Sequence, residues 1–172
     1  MDDLLLWNLG TGQANDLAAR LSAESGPQLT SLLARYRRAK EAIAAAVAEV
    51  DAASICCRCE GQCCQNGKYR INVFDVMARL AAETPTTADF HRKPYCPYGS
   101  EAGCRMEPGL RPVDCVLFIC DAIDRQLSPQ DALLLAEQEA VLRECLVEAS
   151  RLSGEQLGTP LLLWAAHKQT QS

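Results

Sequence analysis

Residues 56–64 read Cys56-Cys57-Arg58-Cys59-Glu60-Gly61-Gln62-Cys63-Cys64, five thiols in nine positions. The spacing Cys56-x2-Cys59-x3-Cys63-Cys64 lets a tight turn aim two sulfurs at one ion, or at one iron of a cluster. Metal–sulfur bonds of ~2.3 Å require that convergence. A second group follows as Cys96-x7-Cys104-x10-Cys115-x4-Cys120. Ligands drawn from both groups would close one site and staple residues 56–64 to the downstream loop. The expected metal ligands are Cys56, Cys59, Cys63, Cys64, Cys96, Cys104 and Cys115. Cys57 reads as a bystander, because sequence neighbours rarely all ligate. Cys120 reads equally as ligand or packing residue, and Cys145, on an apolar helix face, as packing. An oxidised Cys63-Cys64 pair, in a thiol redox protein, is the competing reading.

Working outward, residues 85–114 hold Pro85, Pro94, Pro97, Pro108 and Pro112 with Gly99, Gly103 and Gly109. So long an irregular stretch is uncommon in a compact domain, and a bound metal would supply the missing order. The apolar run Cys115–Cys120 is expected to be buried as a short helix or strand. Ile71–Ala82 is expected to be helical, with Asn72 as N-cap, Asp75 near the positive helix end and Thr84-Pro85-Thr86-Thr87 as its stop. Before the cysteines, Leu29, Tyr36, Ile43 and Val50 recur every seven residues. Leu32, Leu33 and Val47 fill the same stripe of a helix from Leu29 to Ala53. Arg35, Arg37, Arg38, Lys40 and Glu41 are assigned to its solvated side. Residues 1–27 are weakly patterned, with a short helix at Asn15–Ala23 and a break at Ser25-Gly26-Pro27. After the cysteines, Ser128, Pro129 and Asp131 start a helix that runs to about Leu152. Its apolar face carries Leu135, Leu142, Cys145, Ala149 and Leu152, and Ser153-Gly154 stops it. Thr159-Pro160 starts a last helix, Leu161–His167.

The fold class expected is mainly α: two long helices and shorter ones flanking an irregular, loop-rich cysteine-cluster core. Residues 1–54 form an N-terminal helical region, residues 55–125 the metal-binding domain and residues 126–172 C-terminal helices packing on it. The chain has 172 residues and 18.7 kDa, enough for one domain with a helical extension. Apolar residues are 48% and charged residues 23%, a globular balance, but aromatics at 5% leave the core to Leu, Ala and Val. A net charge of −5 lacks the basic footprint of a nucleic-acid binder. The cysteine region is the least acidic part: residues 56–112 carry eight Lys or Arg against six Asp or Glu. Nearby cations favour thiolates. Met1-Asp2-Asp3-Leu4-Leu5-Leu6 lacks the basic start and long apolar run of a secretory signal. The longest apolar stretch, Ala42–Ala48, is far short of a membrane span. The expected location is therefore cytoplasmic, where clustered cysteines indicate metal more often than disulfides.

Taken together, these residues resemble the YkgJ family, the zinc- or iron-chelating CxxCxxCC domain. Cys56-x2-Cys59…Cys63-Cys64 has the family form, with three residues rather than two between Cys59 and Cys63. Ile71-Asn72-Val73-Phe74-Asp75-Val76 followed by Arg79-Leu80, then Cys96-Pro97-Tyr98, Cys104 and Arg111-Pro112-Val113-Asp114-Cys115, follow in the family's order across residues 56–120. The resemblance implies a metal-binding domain that holds zinc or iron, and the cofactor expected here is a [4Fe–4S] cluster or zinc. Seven clustered thiols without a close histidine exceed what one structural zinc needs, so the reading leans to iron–sulfur. The flagellin lysine N-methylase group carries a similar motif. An iron–sulfur enzyme related to it, acting by protein methyl transfer, is the alternative function. No glycine-rich nucleotide loop accompanies the motif. His91, Glu101 and Asp114 lie where a catalytic zinc would draw a further ligand or base, though His91 reads as an ordinary loop residue. Arg111 is expected to support the cofactor by ordering the loop before Cys115 through hydrogen bonds to carbonyls or a carboxylate. A protein partner is not specified by the sequence.

Overall fold

The computed structural model describes residues 2–59, 62–82, 87–92, 96–100 and 103–170, and for Cys63 the backbone alone. Helix α1 spans Asp3–Glu49, with the Asp2 side chain accepting from the Leu4 N–H at its start. It is kinked where Ser25 leaves helical geometry (φ −147°, ψ 37°), two residues before Pro27. Proline lacks the N–H and crowds the preceding turn, so Ser25-Gly26-Pro27 bends the helix instead of ending it as the sequence suggests. Both halves bury one face: Trp7, Ala14, Leu17 and Leu21 before the kink, Leu29, Leu32, Tyr36, Ala39 and Ile43 after it.

Asp51, in the left-handed region (φ 51°), turns the chain into α2, Ala52–Arg58. A 3-10 segment over Gln62–Tyr69 leads to α3, Val73–Ala81. There Asn72 and Asp75 form a reciprocal capping box. The proline-rich stretch contains an antiparallel hairpin of β1, Gly99–Ser100, and β2, Gly103–Cys104. A 3-10 turn at Pro108–Leu110 and the short helices α4, Val113–Leu117, and α5, Asp121–Asp124, follow. The run Cys115–Cys120 is thus only half helical. Val116 is buried, but Phe118, expected inside, is 50% exposed and stacks under the Arg70 guanidinium. The expected stop at residues 84–86 lies outside the described residues.

Helix α6 spans Pro129–Ser153 with the Ser128/Asp131 capping box. Gly154 ends it at φ 71°, a conformation that suits glycine. Helix α7 spans Leu161–Thr170. Helix α1 packs along α6 and against α7, α3 and the 108–110 turn. Leu142, Cys145 and Ala149 of α6 and Leu161, Trp164 and Ala165 of α7 close the core. Backbone bonds fasten α3 to the end of the chain: Leu161 N–H to Ile71 O (2.8 Å), Phe74 N–H to Leu157 O (3.1 Å) and Val73 N–H to Thr159 O (3.2 Å). The described protein is mainly helical, and its main core takes residues from the N-terminal, cysteine-bearing and C-terminal segments alike. Among the described residues no helix is long and apolar enough to cross a membrane.

Candidate functional site

The cysteine-bearing segments meet one another beside α1 and touch both its first turns and its last third. Cys64 lies in the 3-10 segment, and its carbonyl accepts the Cys96 N–H (3.1 Å). Gly67, one turn on, faces Cys96 so closely that an added Cβ would sit 2.7 Å from its Cβ and 2.9 Å from its Sγ. Cys96 is buried at the mouth of the hairpin, where its carbonyl accepts the Gly99 N–H (2.8 Å) and Gly99 pairs with Cys104. Arg105 fixes the same turn by donating to Pro97 O (2.9 Å).

The thiols are electrostatically coupled. Burial pushes the Cys96 thiol up, and charge on Cys104 would push it further. Backbone N–H groups of Tyr98 and Gly99, then Arg105, favour its ionised form. Amides aimed at a cysteine sulfur are the kind of hydrogen bond that tunes thiolate sites. Burial likewise pushes Cys115 up to about 12. Arg70 opposes this, while Cys104, Asp75 and Cys96 add to it. Charge on Cys104 would thus disfavour charge on both Cys96 and Cys115.

The first cysteine arm lies alongside. Helix α2 packs against β2 and α5. Cys56 and Cys120 join a small apolar cluster with Ala52, Ile55 and Ile123. Cys59 Sγ donates to the Cys56 carbonyl (3.2 Å), and Cys57 is exposed. The side chain of Cys63, and the whole of Glu101, lie outside the described residues. Cys145 is fully buried in the main core between α1 and α6. His91 is exposed, with its backbone N–H on Asp89 (3.0 Å). Arg111 donates from Nε to the Met106 carbonyl (3.3 Å). Among the described residues no three of Cys, His, Asp and Glu converge as a metal-holding group.

Two devices that the sequence reading missed hold these segments in place. The first turn of α1 clamps the cysteine loops. Asp3 pairs with Lys68 (2.6 Å) and accepts from the Tyr69 hydroxyl (3.1 Å), while Trp7 packs on Phe90 and Tyr98 (centroids 5.3 and 5.8 Å). The second is a buried charged hub. Lys40, assigned by its sequence setting to the solvated side of α1, is 0% exposed and pairs with Asp75, also 0% exposed, at 2.5 Å. Burial pushes the Lys40 ammonium down from its ordinary value, and the Asp75 charge opposes this. Lys40 lies four residues after Tyr36 and three before Ile43, squarely on the apolar stripe. That was the available signal.

Compared with protein-family models, curated proteins and solved structures, the chain matches none.

Proposed function

We propose that this chain is a metal-binding module of the YkgJ type, holding a [4Fe–4S] cluster or zinc through clustered cysteines. The observation that carries the reading is where the backbone joins the two cysteine segments: the Cys96 N–H donates to the Cys64 carbonyl, and Cys104 pairs with Gly99 on the hairpin that Cys96 opens. Cys64, Cys96, Cys104 and Cys115 are the central ligand candidates, and Cys56, Cys59 and Cys63 form the arm that completes the set. Arg111 supports the site from the Met106 carbonyl. When bound, the metal supplies a cross-link between the two cysteine segments. The protein's own part is to deliver thiols, to favour their ionisation with Arg70, Arg105 and the Tyr98 and Gly99 amides, and to hold the loops that carry them. A cytoplasmic location belongs to the same proposal, because thiolate ligands must stay reduced.

The test is anaerobic purification followed by iron, zinc and acid-labile sulfide analysis with a visible spectrum, on the native chain and on Cys64→Ala. A brown protein absorbing broadly near ~400 nm supports the cluster, and stoichiometric zinc in a colourless sample supports the zinc form. Either metal should fall in Cys64→Ala, with residues 96–115 becoming protease-sensitive. A native chain that retains neither metal under reducing conditions would overturn the reading.

A further inference from the structure

The Lys40–Asp75 pair costs desolvation at both partners. Buried ion pairs are often no more stabilising than apolar residues of the same size, so stability alone is a poor reason for one. The bonds around it show what else it does. Asp75 accepts from the Tyr36 hydroxyl (3.0 Å), from Lys40, from the Asn72 N–H (3.2 Å) and, with both oxygens, from the Val113 N–H (3.1 and 3.2 Å). Lys40 donates a second bond to the Arg111 carbonyl (2.7 Å), and its ammonium sits 4.0 Å from the centre of the Tyr36 ring. The tripeptide Arg111-Pro112-Val113 is therefore gripped at both ends, its first carbonyl by the cation and its last N–H by the anion. Pro112 stands between them with no N–H of its own and φ −53°. The Pro112 carbonyl in turn accepts the Cys115 N–H (2.9 Å).

We propose that Lys40 and Asp75 are positioning residues for Cys115: the buried pair fixes the Arg111–Val113 turn, and so sets where the Cys115 thiol is presented. Helix α1 thereby acts on the cysteine cluster across a large sequence distance without supplying a ligand. The consequence for metal retention rests on the metal-module reading, and the consequence for Cys115 does not.

The decisive variant is Val113→Pro. It deletes the N–H that Asp75 accepts and exchanges the buried Val113 side chain for a pyrrolidine ring, at the first residue of α4, where proline is tolerated by the backbone. Pro112 at ψ 138° already has the extended conformation that a following proline requires. A second variant, Lys40→Met/Asp75→Leu, replaces the pair with apolar groups. The readouts on the full chain are thermal midpoint, the rate of Cys115 modification by a maleimide in metal-free protein with exposed Cys57 as internal standard, and retention of added zinc. In Val113→Pro we expect a lowered midpoint, because a buried carboxylate loses a donor, a several-fold faster Cys115 reaction and zinc retention weakened by about 10–100-fold. The double variant should match it in Cys115 reactivity and zinc loss even where its midpoint equals or exceeds the native value. A native Cys115 rate in Val113→Pro, or a double variant restored in both midpoint and Cys115 rate, would overturn the proposal. If the native chain retains no zinc or iron, the function reading fails, and the Cys115 rates still decide this one.

Discussion

Two halves of the molecule are built on different physics. The scaffold of α1, α6 and α7 buries Leu, Ala and Trp along continuous helix faces. Capping is complete at Ser128/Asp131, and Gly154 closes α6. Its order comes from apolar area along long helix faces, although α1 shares that area with α6 and α7, which lie far along the chain. The segment from Ala52 to Cys120 has helices of nine residues or fewer, a hairpin of two-residue strands and 3-10 turns. Elements that short do not stand alone in water. They are held by the residues they lend to the shared core, such as Ile71, Phe74, Met77 and Val113, by the Asp3–Lys68 clamp, by the Lys40–Asp75 hub and, in the proposed function, by a metal. The scaffold should therefore be indifferent to chelation, and the cysteine segment should not.

The largest effect that sharpens this contrast is Leu142→Ala. Leu142 is fully buried in the α1–α6 core. Truncation should cost about 2–5 kcal/mol by the lost transfer energy and the residual cavity. The loss in a denaturation series should be equal with and without chelator. A loss that depends on metal would mean that the two halves are one thermodynamic unit, and the contrast would fail.

Gly67→Ala attacks the other half. The new methyl meets Cys96 at its Cβ, which cannot swing aside as the tip of a long side chain could. Relief requires the Cys96 backbone or the 62–69 turn to move, and overpacking of this kind costs about 1–3 kcal/mol. Metal content per chain should fall, and the stability loss should be smaller in chelated protein than in loaded protein. Unchanged metal content would remove Cys96 from the candidate ligands.

Cys145→Ala is the matched control on the scaffold side. The thiol is buried beside Leu142 and Ala149 on α6. Burial, opposed by Arg35, pushes its pKa up and keeps the thiol neutral, so it behaves as a small apolar group. Its loss should cost on the order of 1–2 kcal/mol and leave iron and zinc unchanged. Loss of metal from this variant would place α6 at the site.

The same division explains what could be read in the sequence. Helices α3, α6 and α7 were legible because periodicity and caps are written within one turn: Asn72 with Asp75, Ser128 with Asp131, Gly154. Cys145 was legible as packing for the same reason. Helix α1 was legible after Leu29 and, before the kink, as the short helix Asn15–Ala23. Its first turns were not, because Trp7 is held by Phe90 and Tyr98, partners far along the chain. The hub was hidden because a lysine among arginines reads as solvated. Only its place between Tyr36 and Ile43 on the stripe marks it as inward, and its partner is 35 residues away. Phe118 was misplaced because a short apolar run shows no helical face by itself, and α4 ends before it. For the cysteines, turn spacing groups only Cys56, Cys59, Cys63 and Cys64, and as an expectation. How the arms meet is set by the Cys64–Cys96 backbone bond and the Gly67 contact, which no spacing rule encodes.

The smallest effect concerns the clamp at the start of α1. The hydrogen bond from Lys68, joined by one from Tyr69, holds the Asp3 carboxyl below its ordinary value of 3.8 against the opposing pull of burial. A carboxyl whose pKa is depressed by folding adds stability that is complete above its unfolded value and is lost as pH falls through the folded one. Asp3→Asn keeps the size of the side chain and removes the charge, so it should cost about 0.2–1 kcal/mol at neutral pH. The difference between native and variant should stay constant down to the ordinary carboxylate range, then close as the native Asp3 takes up its proton. Because the clamp holds residues 68 and 69, the variant should also quicken proteolysis in the 62–69 segment at neutral pH and leave α6 untouched. A difference that persists unchanged in acid would assign the cost of Asp3→Asn to something other than the Lys68 pair. The first turn of α1 would then belong to the scaffold alone and have no hold on the cysteine loops.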